Sequence, residues 1–442
     1  MDLLSRVRDA GVIGAGGAGF PTHVKLKAQA EYVLLNGAEC EPLLRVDQQL
    51  MAVHPREILQ GLMAGMELTG AAKGIVGIKE SHPDVIAIMR DAARDMHAED
   101  RISIGVLPDV YPAGDEQVLV HELTGRIVPE NAIPIAVGCV VMNAETAYNV
   151  YKASCGEPVT MKYVTVAGCV PHPVTVRVPV GTPLSMLFAY AGMQDMSGFA
   201  VINGGPMMGP LLGENDLYVT KKTKGLVVLP EDHGLIIKKK QGLPQAKRLN
   251  RSACEQCRMC TDLCPRHLLG HSTSPHKMVR AMAFGLEGTE KMSAALTCCQ
   301  CNLCEYFACP AGIHPRLANV YYMNQLREKG IRHTPRDHYE TDPLRPYRMI
   351  PSRRLIAHLG LMPYNTAAPL EEEPAMTPEL VGIGLKDHVG APAQLLVRAG
   401  EHVQAGQKIA KIPEGALGAA VHASISGTVE AADGNLVLIR RD

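Results

Sequence analysis

At 442 residues the chain is long enough for about three domains of ~150 residues each. It is 46% hydrophobic and 20% charged, an ordinary globular composition, and its net charge of −1 argues against nucleic acid or an anionic membrane as main partner. Met1-Asp2-Leu3-Leu4-Ser5-Arg6 lacks a signal-peptide pattern, no apolar stretch approaches the ~18 residues of a membrane span, and thirteen cysteines suit a reducing cytoplasm.

Residues 1–157 alternate helix-like and strand-like patterns. Leu3 to Ala10 has helical spacing and leads into Gly14-Ala15-Gly16-Gly17-Ala18-Gly19-Phe20-Pro21-Thr22. A dinucleotide fingerprint would need a strand before this loop; the first convincing strand, Tyr32-Val33-Leu34-Leu35, comes after it, so a Rossmann assignment fails on context. The glycines still let backbone N–H groups approach a phosphate or a flat ring. Pro21-Thr22 predicts a helix start whose N-terminus favours an anion, with Lys25 one turn in. A glycine turn serving only tight packing is the bland alternative. Gly74 to Ile78, Ile102 to Val106 and Pro134 to Val137 read as further buried strands. Helical patterns over His54–Leu68, Pro83–Met96 and Gly114–Leu123 lie between them, predicting a mostly parallel sheet.

Residues 160–235 change grain. Lys162 to Gly168 and Val174 to Pro179 alternate at period two; a helix over Pro183–Gly192 and a strand from Phe199 follow, predicting a small β-grasp module. Lys238, Lys239, Lys240, Lys247, Arg248 and Arg251 form the nearest thing to a basic run. They read as a solvated linker, with an acidic docking partner as the lesser option.

Residues 245–335 carry Cys254-x-x-Cys257-x-x-Cys260-x-x-x-Cys264-Pro265 and Cys298-x-x-Cys301-x-x-Cys304-x-x-x-x-Cys309-Pro310. Three thiolates at i, i+3 and i+6 wrap one [4Fe-4S] cube, and in two-cluster ferredoxins the fourth cysteine ligates the other cube. Zinc sites usually offer paired Cys-x-x-Cys or histidines, and disulfide frameworks belong to small secreted domains. Two [4Fe-4S] clusters in a helical domain are therefore expected. Cys299 adjoins Cys298 and either could open the second run; spacing favours Cys298. Cys40, Cys139, Cys155 and Cys169 read as small buried hydrophobes. Residues 336–378, rich in Pro and Arg, read as an extended connector, and 379–442 as a flattened small β-barrel of short strands with Gly turns.

Gly14 to Thr22, Asn36-Gly37-Ala38-Glu39-Cys40-Glu41-Pro42, Tyr111 to Glu116, and Asn143-Ala144-Glu145-Thr146 together resemble the flavin domain of the NADH-oxidising subunit of respiratory complex I. They are closer still to the RnfC family, whose soluble-ligand-binding β-grasp and barrel-sandwich domains are similar to residues 160–235 and 379–442. RnfC proteins put the barrel first; here it comes last, an order resembling the cobalamin reductases of propanediol-utilisation microcompartments. The resemblance implies FMN bound by Gly14, Gly16, Gly17, Gly19 and Lys25, with Asn36, Glu39, Gly114, Asp115, Glu116, Asn143, Glu145 and Thr146. Taken singly, Glu39 and Glu116 suit a helix cap or surface ion pair equally well. Ala15 stands where complex I has an arginine.

The implied activity is NADH-dependent electron transfer through FMN and two clusters, with no catalytic side chain beyond the cofactors. By resemblance the acceptor is a corrinoid, taken from cob(III)alamin through cob(II)alamin to cob(I)alamin for adenosylation. No Asp-x-His-x-x-Gly cobalt-ligating motif is visible, which suggests transient docking. A shell protein and an adenosyltransferase are the implied partners, in the cytoplasm within or at a microcompartment and without membrane insertion. Alternatives are an electron-input subunit of an RnfC-type membrane complex and a non-enzymatic electron wire.

Overall fold

The computed structural model describes residues 2–442. Asp2 caps α1 (Leu3–Asp9), accepting from the Ser5 N–H, and the glycine loop leads to α2 (Thr22–Lys25). That helix is a single turn, too short for the anion-favouring terminus expected of it, because a macrodipole needs several aligned peptides.

Four parallel strands follow: β1 (Tyr32–Asn36), β2 (Lys73–Lys79), β3 (Ile102–Leu107) and, after the two-residue β4 (Val110–Tyr111), β5 (Cys139–Asn143). Their order is β3-β2-β1-β5. The last expected strand is misplaced by one element: Pro134–Val137 is a 3-10 turn ended by left-handed Gly138. Pro134 has no N–H for a central ladder, whereas Val140 and Val141 just beyond suit one.

Helices α3 (Val46–Val53), α4 (Pro55–Thr69), α5 (Pro83–Asp95) and α7 (Ala144–Ser154) bury one face of the sheet, through Val33, Leu35, Val76 and Met142. The opposite face, with Leu34 and Val141, packs on α6 (Glu116–Thr124). Each fully buried Leu contributes about 1.5–3 kcal/mol, so a one-residue slip that exchanged the faces would be costly. Proline at the first turn starts α4 and α5, and left-handed Gly70 ends α4.

From β1 the chain builds β2 and β3 on one side, then crosses to β5 on the other. Strand order therefore reverses between β1 and β5, and crevices that hold ligands open at the carboxyl ends of such strands. Asn36 and Asn143 end those two strands in register.

The second unit is a mixed sheet of β6 (Met161–Gly168), β7 (Val174–Pro179), β8 (Phe199–Asn203) and β9 (Gly225–Pro230), with α8 (Leu184–Tyr190) in its core. Next come α9 (Gly234–Lys240), α10 (Leu243–Ser252), α11 (Met259–Asp262), α12 (Pro265–Leu268), α13 (Pro275–Ala283), α14 (Leu303–Tyr306) and α15 (Pro315–Glu328), which carry the cysteine runs. The basic run is therefore helical rather than a solvated linker. Lys238 Nζ donates to the Gly312 and Ile313 carbonyls, and Lys239 Nζ to the Gly209 carbonyl at 2.6 Å.

Nor is the Pro/Arg-rich stretch a free connector. It forms α16 (Arg345–Arg348) and α17 (Ser352–His358), while β10 (Ile350–Pro351) pairs with β4 and β11 (Leu370–Glu371) joins β7. These short strands stitch the units together. Two antiparallel sheets close the chain: β12 (Leu380–Gly384), β18 (Leu436–Arg441), β17 (Gly427–Ala432) and β14 (His402–Val403) against β13 (Gln394–Leu395), β15 (Lys408–Lys411) and β16 (Val421–His422). Val381, Ile383, Ile409 and Val437 fill the space between them. This unit sits on the glycine loop, where the Val389 N–H donates to the Gly19 carbonyl at 3.1 Å.

Candidate functional site

The four sequence motifs converge at the carboxyl edge of the parallel sheet. The glycine loop is tied down by the Ala15 N–H, which donates to Thr146 Oγ1 at 3.0 Å. Gly16 and Gly19 adopt left-handed φ of 82° and 74°, which keeps the loop tight. The N–H groups of Gly16, Gly17 and Ala18 meet no protein acceptor among the described residues. A Cβ at Gly17 would have open space in front of it. Such a row of free donors is a nest for an anion, which fits the phosphate end of a flavin nucleotide.

Asn36 Nδ2 donates to the Gly114 carbonyl at 2.9 Å, joining the second motif to the third. Lys25 Nζ donates to the Val141 carbonyl at 3.0 Å and pairs with Glu116 at 3.1 Å, joining the loop to α6. Asp115 caps α6 by accepting from the Gln117 and Val118 N–H groups, and its second oxygen pairs with Arg266 at 2.8 Å.

Two predicted carboxylates are otherwise engaged. Glu145 is buried beneath the site, ion-paired with Lys162 and accepting from the Tyr163 N–H. Glu39, in a left-handed conformation (φ 31°), accepts from the Asp47 N–H at 2.8 Å and from Lys224 at 3.1 Å. Lys224 also meets Asp47 at 2.5 Å and runs under Gly16. Glu41 escaped selection from sequence although it sits in the same motif; it accepts from the Met207 and Met208 N–H groups, and burial pushes it up to about 7.

The cysteines gather into two quartets, each drawing its fourth member from the other run. Burial and then the neighbouring thiolates of Cys309, Cys257 and Cys254 push Cys260 up to about 12. These four line a cavity of about 130 Å³, several times the ~30 Å³ share of one water. Burial and then Cys299 and Cys298 raise Cys264, and burial with Cys298, Cys264 and Cys260 raises Cys304. Cys301 is raised by its hydrogen bond with Cys299, by burial, and by Cys264 and Cys304. No described group of three His, Cys, Asp or Glu is drawn round a point tightly enough for a lone ion. Thiols are soft donors, of the kind that suits iron–sulfur chemistry once deprotonated.

Both runs share one backbone design. Gln256 and Arg258 flank Cys257 with left-handed φ of 55° and 66°; Gln300 and Asn302 flank Cys301 with 57° and 63°. That register aligns Cys298, not Cys299, with Cys254. The Gln300 N–H also donates to Cys298 Sγ at 3.3 Å, while Cys299 hydrogen-bonds Arg266 and Cys301. Of the four cysteines outside the runs, only Cys139 is fully buried; Cys155 is exposed, against expectation.

The quartets differ in position. The inner one, with Cys264 and Cys301 buried, abuts the flavin motifs: Tyr111 Oη donates to the Cys301 carbonyl at 2.7 Å, and Arg266 bridges to Asp115. The outer one has Cys257 exposed. Arg266 and Tyr111 were not singled out from sequence, though both lie within or beside the motifs themselves.

Family models match three segments: the Nuo51 FMN-binding domain over residues 7–152, the 4Fe-4S dicluster domain over 253–314, and the RnfC barrel sandwich hybrid domain over 364–438. Fold and site thus define a protein that couples a flavin-binding domain to a dicluster iron–sulfur domain. The chain is 46% identical to the cobalamin reductase PduS of Salmonella typhimurium, covering 100% of this chain and 96% of that one. It is 45% identical to the cobalamin reductase PduS of Citrobacter freundii, covering 99% and 96%. The chain belongs to the PduS cobalamin reductase family. A component of the Na⁺-translocating ferredoxin:NAD⁺ oxidoreductase complex of Acetobacterium woodii is 34% identical, over 59% of this chain and 57% of its own length.

Proposed function

We propose that the chain is an NADH-dependent reductase that delivers single electrons to the cobalt of a corrinoid. It would take cob(III)alamin to cob(II)alamin and cob(I)alamin, in support of adenosylcobalamin regeneration during propanediol utilisation. The observation that carries this reading is the junction between flavin motifs and inner quartet, made by Tyr111–Cys301 and Asp115–Arg266. Full-length likeness to cobalamin reductases supports the acceptor; the RnfC-type relatives match only part of the chain.

When bound, FMN would accept one hydride, that is an electron pair, and release the electrons singly, which suits [4Fe-4S] clusters as one-electron carriers. The glycine loop N–H groups, Gly14, Gly16, Gly17 and Gly19, together with Lys25, would hold the phosphate; Asn36, Gly114, Asp115, Glu116, Asn143 and Thr146 would face the ring and ribityl chain. Glu39 and Glu145 act from beneath, through Lys224 and Lys162, and fix the floor of the crevice. Cys254, Cys257, Cys260 and Cys309 would hold the outer cluster; Cys264, Cys298, Cys301 and Cys304 the inner one. The strand–helix–strand unit of residues 160–235 is assigned as the β-grasp domain, covering the crevice through Glu41 and Lys224. A shell protein and an adenosyltransferase of a microcompartment are the proposed partners. No described helix is long and apolar enough to cross a membrane.

Anaerobic purification tests the reading. Yellow-brown protein with FMN and about eight iron atoms per chain, bleached by NADH and turning over cob(III)alamin, is expected. Flavin with diaphorase activity but no corrinoid reduction would replace it with the membrane-complex role. Brown protein lacking flavin would leave an electron wire.

A further inference from the structure

The basic run that reads as a linker in sequence becomes one wall of a groove beside the outer quartet. Helix α10 presents Lys247, Arg248 and Arg251, and α13 with the turn after it presents Arg280, Phe284 and Leu286 opposite. The groove measures about 1120 Å³, and Cys254 and Gln256 of the outer cysteine loop form its end. Four cations and no carboxylate line it. None of the four pairs with a carboxylate: Lys247 lies 4.8 Å over the Tyr321 ring and Arg248 bonds Gln245 Oε1 at 2.9 Å. In a chain whose net charge is −1, such a concentration is local. Phe284 is 71% exposed and Leu286 52%, so the cationic walls flank an apolar patch.

We propose that this groove docks an acidic redox protein and that the outer quartet is the port through which electrons leave for it. An apolar centre rimmed by one sign of charge is how transient protein partners are steered and seated. Position supports the polarity of the path: the inner quartet is closed off by the flavin domain, whereas the outer loop reaches solvent at Gln256, Cys257 and Arg258. The partner offers carboxylates about an apolar spot, with its one-electron centre near that face. A cluster held by Cys254, Cys257, Cys260 and Cys309 would give up one electron per transfer and the partner's centre would gain it, with no proton or bond change required. This rests on the reading that NADH-derived electrons reach the clusters, so the test carries a control for that step.

Cytochrome c serves as probe acceptor in two forms, native and lysine-succinylated, which share a haem and differ in the sign of their surface charge. In anaerobic assays of the holoenzyme with NADH at low ionic strength, the succinylated form should be reduced about tenfold faster than the native one. That preference should shrink as salt shortens the range of charge–charge attraction. Arg248→Glu with Arg251→Glu leaves two cations against two carboxylates and should abolish it, leaving NADH reduction of menadione, a neutral acceptor, and iron content unchanged. If the wild type reduces menadione but treats both cytochromes alike at all salt concentrations, the proposal is overturned. A retained preference in the double variant overturns it equally. Should the double variant lose iron, Arg280→Ala provides the same comparison from the opposite wall. Failure of the wild type to reduce menadione would instead strike the NADH–flavin reading.

Discussion

The two thiol quartets were built from the same local pattern and ended in different surroundings. Each has left-handed residues on both sides of its central cysteine, Cys257 or Cys301. Beside Cys301 lies Tyr111 of the flavin unit, whose Asp115 is reached by Arg266 from the cysteine unit's own α12; Cys257 is exposed. A repeated motif thus specifies what is held, while packing decides which copy faces the electron source and which faces outwards.

Removing one ligand from each quartet tests that difference most severely. Cys301→Ala should cut NADH-driven corrinoid reduction by about a hundredfold or more and remove about half the iron and acid-labile sulfide, with FMN retained. Cys257→Ala should lose the same iron yet leave the inner cluster reducible by NADH, as followed by electron paramagnetic resonance. Equal reducibility of the remaining cluster in both variants would erase the inner–outer distinction.

Next in size is Arg266→Ala. It strands Asp115 at the junction, where both side chains are nearly buried, and should cost about 3 kcal/mol in denaturant unfolding. An unchanged midpoint would mean that the inner quartet does not depend on the flavin domain. Lys25→Ala acts upstream of both quartets. Loss of a charge-assisted contact should raise the FMN dissociation constant about tenfold without changing iron content, measured by flavin fluorescence on dilution.

Cys299→Ser sharpens the ligand assignment by contrast with Cys298→Ala. The first should keep nearly all its iron and the second about half, by elemental analysis; reversed results would shift the register by one residue.

The smallest expected effect is on pH dependence at the seam between the flavin and cysteine units. Against the upward push of burial, the Ser272 N–H and His333 hold the Glu130 carboxyl at about 2, below its ordinary 4.5. A depressed carboxyl stabilises fully above its unfolded value, so this contribution is present above pH 4.5 and disappears as pH falls towards 2. Stability profiles of the wild type and Glu130→Gln should therefore differ at neutral pH and converge in acid.

Much of the parallel sheet was legible because hydrophobic runs such as Val33-Leu34-Leu35 need a strand buried on both faces, whatever their neighbours. The failures fell where context outweighs local pattern. Pro134–Val137 looks like Val140–Met142 by hydropathy, and only the ladder's demand for N–H groups separates them. Lys238 and Lys239 look solvated until the carbonyls of Gly312 and Gly209, distant in sequence, arrive beside them. Glu39 and Glu145 carry the right chemistry for a ligand, but their roles turn on Lys224 and Lys162, more than fifteen residues away in the chain.

Cysteine spacing alone determined the donor chemistry of this protein, since ligands three residues apart meet within one loop whatever the rest of the chain does. Glycines between residues 14 and 19 likewise fixed a tight, donor-rich loop by sterics. Only tertiary structure decided that the inner quartet meets Tyr111 and Asp115, and that a basic helix borders the outer one. Those outcomes depend on pairs of groups far apart in the chain, whose approach is set by how whole units bury their apolar faces.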